Sequence, residues 1–336
     1  MNKYILSLLF VSFLFFSCSN SKEEIIEENN QNLPFALSTN NVTFHENIAY
    51  GEFERNKFDL FTPDSDAKTP IVIYIHGGGF TGGSKSDLYQ NFFFTNLVDN
   101  LLSENIAFAS INYRLLETNE TEGVFKCMND SKRALQYIRR FSNDYNINKD
   151  KVVLIGASAG AGTSLWIGFN SDLAQINHSD VVFRESTRIN GIVALSTQAN
   201  YDIPEWHNTI FKEYQPQGMS FEAILGLAQE ETLLQFYGID NISELSSSQI
   251  LQDRSNLDML ELLTNDDPEF YVSNADTPYS LPTNADQALH HPLHAKALID
   301  KATEVNLSYK ALIPQMNIDN TNGESMLDFI LRKLNN

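Results

Sequence analysis

Two cysteines, Cys18 and Cys127, are all that the 336 residues contain. That rules out a disulfide framework and a four-cysteine zinc site. Positive charge is scarce as well: 23 Lys and Arg stand against 43 Asp and Glu, a formal net charge of −20. Phosphate binding needs the opposite sign, so nucleic acid is not an expected partner. The chain has no H-E-x-x-H zinc motif, no phosphate loop ending in Lys-Ser/Thr and no internal repeat. Beyond the first 17 residues no apolar run approaches the roughly 20 residues of a membrane span. Histidine occupies only positions 45, 76, 178, 207, 290, 291 and 294. What remains is ordinary for a globular protein, 42 % hydrophobic and 20 % charged, at a length for one large or two ordinary domains.

The N-terminus carries an address. Lys3 supplies a positive start, 4–16 (YILSLLFVSFLFF) an apolar stretch, and Ser17 a small residue, so 1–17 is expected to be a secretory signal peptide. The run Phe15-Phe16-Ser17-Cys18 resembles a lipobox, which makes Cys18 the expected lipidation point and the cell envelope the expected location. The resemblance implies an outer-membrane lipid anchor. Lys22-Glu23-Glu24 is also similar to surface-export signals of some Gram-negative lipoproteins. Residues 18–38 are acid- and amide-rich, unable to bury enough apolar surface to order themselves, and read as a tether. The folded domain is expected over 39–336. Cys127 falls in an amphipathic run with Val124, Met128, Leu135 and Ile138 and reads as a buried core thiol.

From residue 42 the pattern alternates. Residues 42–50 and 52–61 have strand periodicity, and 71–75 (IVIYI), 106–111, 152–155 and 189–195 are continuous apolar runs of the kind buried on both sheet faces. Helical spacing separates them at 88–103, 124–141 and 158–169. This order predicts an α/β fold, with right-handed crossovers and a mostly parallel sheet covered on both sides. Residues 197–267 break the alternation with helical patterns at 221–237 and 242–263, an inserted cap. Strands resume at 270–272 and 307–313, with helices at 293–304 and 325–334.

Two motifs carry chemistry. Gly156-Ala157-Ser158-Ala159-Gly160 follows a strand and opens a helix, the setting of a nucleophile elbow. Small residues on both sides of Ser158 allow the sharp turn, and the helix dipole points its positive end at the serine. His76-Gly77-Gly78-Gly79-Phe80 follows the strand at 71–75 and leaves amide N–H groups unshielded, able to hold an oxyanion.

These motifs, with Asn112-Tyr113-Arg114 after the next strand, occur in the order and spacing of the α/β-hydrolase superfamily. They most resemble its HGGG-type esterases: carboxylesterases, the hormone-sensitive-lipase-like group, and feruloyl or acetyl-xylan esterases. The resemblance implies Ser158 as nucleophile, the backbone N–H groups of Gly78, Gly79 and Ala159 as oxyanion hole, and a loop-shaping role for His76. It implies no metal or organic cofactor.

The chain departs from the family at its far end. The usual base follows the last strand, yet 314–336 contain no histidine. His290 or His291, at the start of the helix near 293, are the candidate bases, with His294 close behind. The acid that fixes the imidazole has three candidates: Asp286 before that helix, Asp276 nearer the strand end, and Asp202 after the strand at 189–195. His290, His291, His294 and Asp286 together make a poor metal set, because Pro292 interrupts their helical spacing. Two functions are therefore weighed. One is a serine-dependent carboxylic ester hydrolase of the cell envelope, acting on a small-molecule or acylated glycan ester. The other is a pseudohydrolase that keeps the pocket as a surface binding module, motivated by the missing histidine.

Overall fold

The computed structural model describes residues 33–335. The expected signal peptide at 1–17, Cys18 and the tether as far as residue 32 lie outside the described residues. The chain runs through β1 (Val42–Ala49), β2 (Lys57–Pro63), β3 (Thr69–Ile75), α1 (Phe92–Ser103), β4 (Ala107–Ile111), α2 (Val124–Arg140), β5 (Ile147–Ala157), α3 (Ala159–Phe169) and β6 (Gly191–Leu195). The cap follows as short helices α4 (Trp206–Thr209), α5 (Phe221–Ala228), α6 (Glu230–Tyr237), α7 (Ser248–Asn256) and α8 (Met259–Leu262). Then come β7 (Phe270–Ser273), α9 (Ala285–Leu289), α10 (Pro292–Val305), β8 (Tyr309–Ile313), β9 (Ile318–Asp319) and α11 (Met326–Asn335).

The nine strands form one sheet in the order β1-β2-β4-β3-β5-β6-β7-β8-β9. Strands β3 to β8 pair in parallel, and β1, β2 and β9 pair antiparallel at the edges. The two-faced burial expected of 71–75 holds. Ile71, Ile73 and Ile75 join the core under α2, α3 and the cap, whereas Val72 and Tyr74 join the core under α1 and α11. Each such side chain taken fully from water contributes about 1.5–3 kcal/mol.

β3 and β5 are sheet neighbours. The helix after β3 lies on one face and the helix after β5 on the other. The loops above their C-terminal ends therefore diverge and leave a crevice, the place where open α/β sheets bind ligands. Both chemical motifs sit there.

Several expectations shift in register. β2 begins at Lys57 rather than 52, because 50–56 close a turn through Tyr50 N–H donating to the Asn56 carbonyl at 2.9 Å. The helical pattern at 88–103 divides at Asn91, whose side chain accepts from Phe93 N–H and caps α1. The pattern at 242–263 is likewise broken into short pieces. The end of the expected tether packs on the domain: the Phe35 ring lies 5.5 Å from Phe61 and 5.6 Å from Tyr89. Cys127 is fully buried and free, and burial pushes its thiol up to about 12.

Candidate active site

Ser158 sits between β5 and α3 with φ 52° and ψ −119°. Such a conformation is costly for a residue with a side chain, and the neighbouring packing enforces it. Its own N–H donates to the Leu195 carbonyl at 2.9 Å, tying the turn to β6. Gly160 is required by close approach: a Cβ there would stand 2.0 Å from the Ile75 carbonyl oxygen, so only glycine lets α3 rest on the end of β3.

The glycine loop faces this turn. Gly78 has φ +104°, and its carbonyl accepts from Thr81 and Gly82 at 3.1 and 3.0 Å, closing a tight ring of backbone. Among the described residues, the N–H groups of Gly78, Gly79 and Ala159 donate to no other protein atom. Ala159 is the first residue of α3, where an N–H has no partner within the helix.

His76 supports the loop from beneath. Its ring is buried, stacks on Tyr113 at 4.3 Å, and its Nδ1–H donates to the Gly77 carbonyl at 2.7 Å. Burial pushes its pKa down to about 4, so the ring is neutral. Arg55 bonds the carbonyls of Gly83 and Tyr113, both at 2.8 Å, and pins the far end of the loop.

On the other side of Ser158, its Oγ lies 2.8 Å from Nε2 of His290. Nδ1 of the same ring lies 2.8 Å from Oδ1 of Asp286. Asp286 is in the first turn of α9 and His290 is the residue that caps its end, so helical i,i+4 spacing brings carboxylate and imidazole together. The His290 carbonyl accepts from Thr277 Oγ at 2.8 Å, and buried Asn274 donates to the carbonyls of Thr197 and His291 at 2.9 and 3.1 Å. Asn274 and Thr277 thus hold the histidine loop against the ends of β6 and β7. Nothing in the sequence marked either residue.

The remaining candidates lie elsewhere. His291 is buried, accepts from Leu293 N–H as the cap of α10, and donates to the Ser280 carbonyl. His294 is buried, accepts from Ala199 N–H and donates to the Ala288 carbonyl, and burial pushes its pKa down to about 3. Both rings use both nitrogens for structure and neither reaches Ser158. Asp276 accepts from the Ser196 hydroxyl, and Asp202 pairs with Arg254 at 2.7 Å inside the cap. Neither carboxylate touches an imidazole. Among the described residues no group of three or more His, Cys, Asp or Glu side chains is placed to hold a metal ion.

A cavity of about 350 Å³ opens beside Ser158, Gly79 and Ala159, and its far walls come from the cap.

A sheet of this topology, with an elbow serine on β5 and a glycine loop on β3, defines an α/β-hydrolase fold. The family model described as BD-FAE matches residues 58–301, and the chain belongs to that family. A protein of Arabidopsis thaliana named probable isoprenylcysteine alpha-carbonyl methylesterase is 24 % identical over 249 residues, 73 % of this chain and 46 % of the relative. The chain spans less than half the length of such curated relatives. Among solved structures, a truncated carbohydrate esterase from gut microbiota has a TM-score of 0.58 at 16 % identity, over 88 % of this chain and 97 % of that one. A bacterial heroin esterase has a TM-score of 0.55 at 16 % identity, over 90 % and 85 %.

Proposed function

We propose that the protein is a carboxylesterase-type serine hydrolase that works through an acyl-enzyme. The observation that carries this reading is the unbroken line Asp286, His290, Ser158, joined by two contacts of 2.8 Å. In the proposed cycle His290 Nε2 takes the Ser158 proton as Oγ bonds to the ester carbonyl carbon. The charge that develops on the carbonyl oxygen is held by the N–H groups of Gly78, Gly79 and Ala159, each worth a few kcal/mol in comparable sites. The imidazolium, steadied by the Asp286 carboxylate, returns the proton to the alcohol oxygen as the carbon–oxygen bond breaks. Water then gives a proton to the same ring as its oxygen bonds to the acyl carbon; the carbon–Oγ bond breaks, the imidazolium returns the proton to Ser158 Oγ, and the acid leaves.

The missing histidine beyond β8 was the ground for a non-catalytic binding module. With His290 at the serine that ground falls away, and no observation favours the second reading. The names of the relatives and neighbours support esters as substrates, small molecules or acyl groups carried on glycans. The acidic charge suits neutral esters rather than polyanions. The lipobox-like run supports attachment to the cell envelope through Cys18. A Cys18→Ser variant that still partitions into detergent with the membrane fraction would overturn that part.

The catalytic claim is tested by hydrolysis of a short-chain acyl ester and by fluorophosphonate labelling, wild type against Ser158→Ala. Turnover and labelling by wild type alone are expected; equal signals from both proteins would sink the claim.

A further inference from the structure

We infer that the cavity beside Ser158 is an acyl site for apolar chains of intermediate length, and that the α5–α6 hairpin of the cap sets that length. The inference rests on the hydrolase reading above and adds the class of acid the ester carries.

The walls are the first ground. Apolar side chains supply most of them, Phe80, Ile224, Leu227, Leu233, Phe236 and Leu289 among them, and Ile224, Leu227, Leu233 and Phe236 all belong to α5 and α6. The Phe236 ring lies 5.9 Å from Phe80 and 5.4 Å from Tyr201, which closes the cavity with aromatic carbon. The polar groups present are partly used up. Gln198 donates to the Leu289 carbonyl at 2.8 Å and accepts from the Tyr201 hydroxyl at 3.3 Å. Thr81, Gln229 and Thr232 also line the cavity, but all three are exposed, so its buried part offers few partners to a sugar's hydroxyls, and buried polar groups without partners are costly.

Position is the second ground. The cavity starts at Gly79, Ala159 and Ser158, the groups that surround the carbonyl carbon; Ala285, Ala288 and Leu289 of α9 form one side wall, and the His290 ring itself is not among the lining groups. The alcohol must take its proton from His290 Nε2, so it departs toward the imidazole. The part of the ester that extends away from the imidazole, into the cavity, is the acyl chain.

Size is the third. A water molecule's share of liquid volume is about 30 Å³ and a methylene is comparable, so 350 Å³ has space for roughly ten such groups. An acetyl group would fill a small corner and leave water against apolar walls. Each methylene moved from water to such walls favours binding about fourfold. Where that gain persists into the transition state, kcat/KM rises along a series of lengthening chains until the far wall is met.

The test compares p-nitrophenyl acetate, butyrate, hexanoate and decanoate. Wild type is expected to prefer hexanoate to acetate at least tenfold in kcat/KM. Leu227→Trp, which places an indole in the cavity from a half-buried position, should lower the hexanoate-to-acetate ratio at least tenfold. Thr232→Trp, on an exposed position at the same wall, should lower it in the same direction and serves if the first variant does not fold. Fluorophosphonate labelling of each variant reports an intact serine. Acetate turned over as fast as hexanoate by wild type would overturn the acyl assignment alone, as would an unchanged ratio in a labelled variant. Loss of both turnover and labelling in wild type would overturn the hydrolase reading and the acyl site with it.

Discussion

Asp286 and His290 stand one turn apart on the same short helix, carboxylate to Nδ1 at 2.8 Å, and the opposite edge of that imidazole meets Ser158. The acid and the base come from one local segment after β7. Neither comes from the region beyond β8, where the family resemblance placed the base. The Asp286 carboxylate is largely exposed, at 74 % side-chain accessibility, so its hold on the ring depends on helix geometry more than on burial.

Replacing His290 with alanine should lower kcat by roughly 10³–10⁴-fold, as the serine proton loses its acceptor. His291→Ala should leave the Ser158 contact in place and reduce thermal stability instead, because the ring caps α10 and bonds the Ser280 carbonyl. Steady-state kinetics with thermal melts on both variants separates the two; a larger kcat loss for His291→Ala would reverse the assignment.

Asp286→Asn keeps the shape of the acid but removes the charge that favours the imidazolium. A fall in kcat of about 10²–10⁴-fold is expected with little change in melting temperature, since an exposed carboxylate gives little to stability. If kcat is unaltered, Asp286 does not assist the base.

Stability should decline in mild acid. His294 is neutral in the folded protein with a pKa near 3, while an unfolded histidine titrates near 6.5. Between those values the unfolded chain binds the extra proton, so stability falls as pH drops through that window, by up to about 1.4 kcal/mol per unit. His76, pushed down to about 4, adds a share with the same sign. Urea melts at pH 7, 6 and 5 on wild type and His294→Gln should show a shallower pH slope for the variant, whatever its absolute stability.

Gly160→Ala should be severe for a residue change of one methyl group. The added carbon would meet the Ile75 carbonyl oxygen at 2.0 Å, and relieving that contact means lifting α3 off β3. A loss of about 1–3 kcal/mol is expected from such overpacking, with a drop in kcat as Ser158 and the Ala159 N–H move together. Wild-type melting temperature and turnover in this variant would show that the two elements do not touch.

Asn274→Ala should cost about 1–3 kcal/mol of stability, because the Thr197 and His291 carbonyls lose a buried donor. If Asn274 positions the histidine loop, kcat falls while KM for a short ester stays within a few-fold, and an Asn274→Asp variant recovers little.

Much of the fold was legible because buried parallel strands announce themselves. Ile71 to Ile75 could not face water on either side, and the glycines around Ser158 had no other use so near a strand end. The elbow and the oxyanion loop could be read for the same reason: their chemistry lives in the backbone and demands small residues in fixed order. The choice between His290 and His291 could not be read. They are adjacent, and which one turns to the serine depends on α9, a five-residue helix with too little sequence to show periodicity. Asn274 was hidden for another reason, since its work is to bond carbonyls donated by distant loops. The end of the tether was misjudged because Phe35 finds Phe61 and Tyr89 only once the sheet has formed.

The placement of acid and base on α9 has a mechanical consequence. A site assembled from three distant loops has three separations that thermal motion can spoil independently. Here the carboxylate and the imidazole ride on one rigid turn, and any swing of that turn carries both. Alignment of the proton path then reduces to a single coordinate, the gap between α9 and the elbow, and the Asn274 and Thr277 bonds set it indirectly by fixing the histidine loop to the ends of β6 and β7.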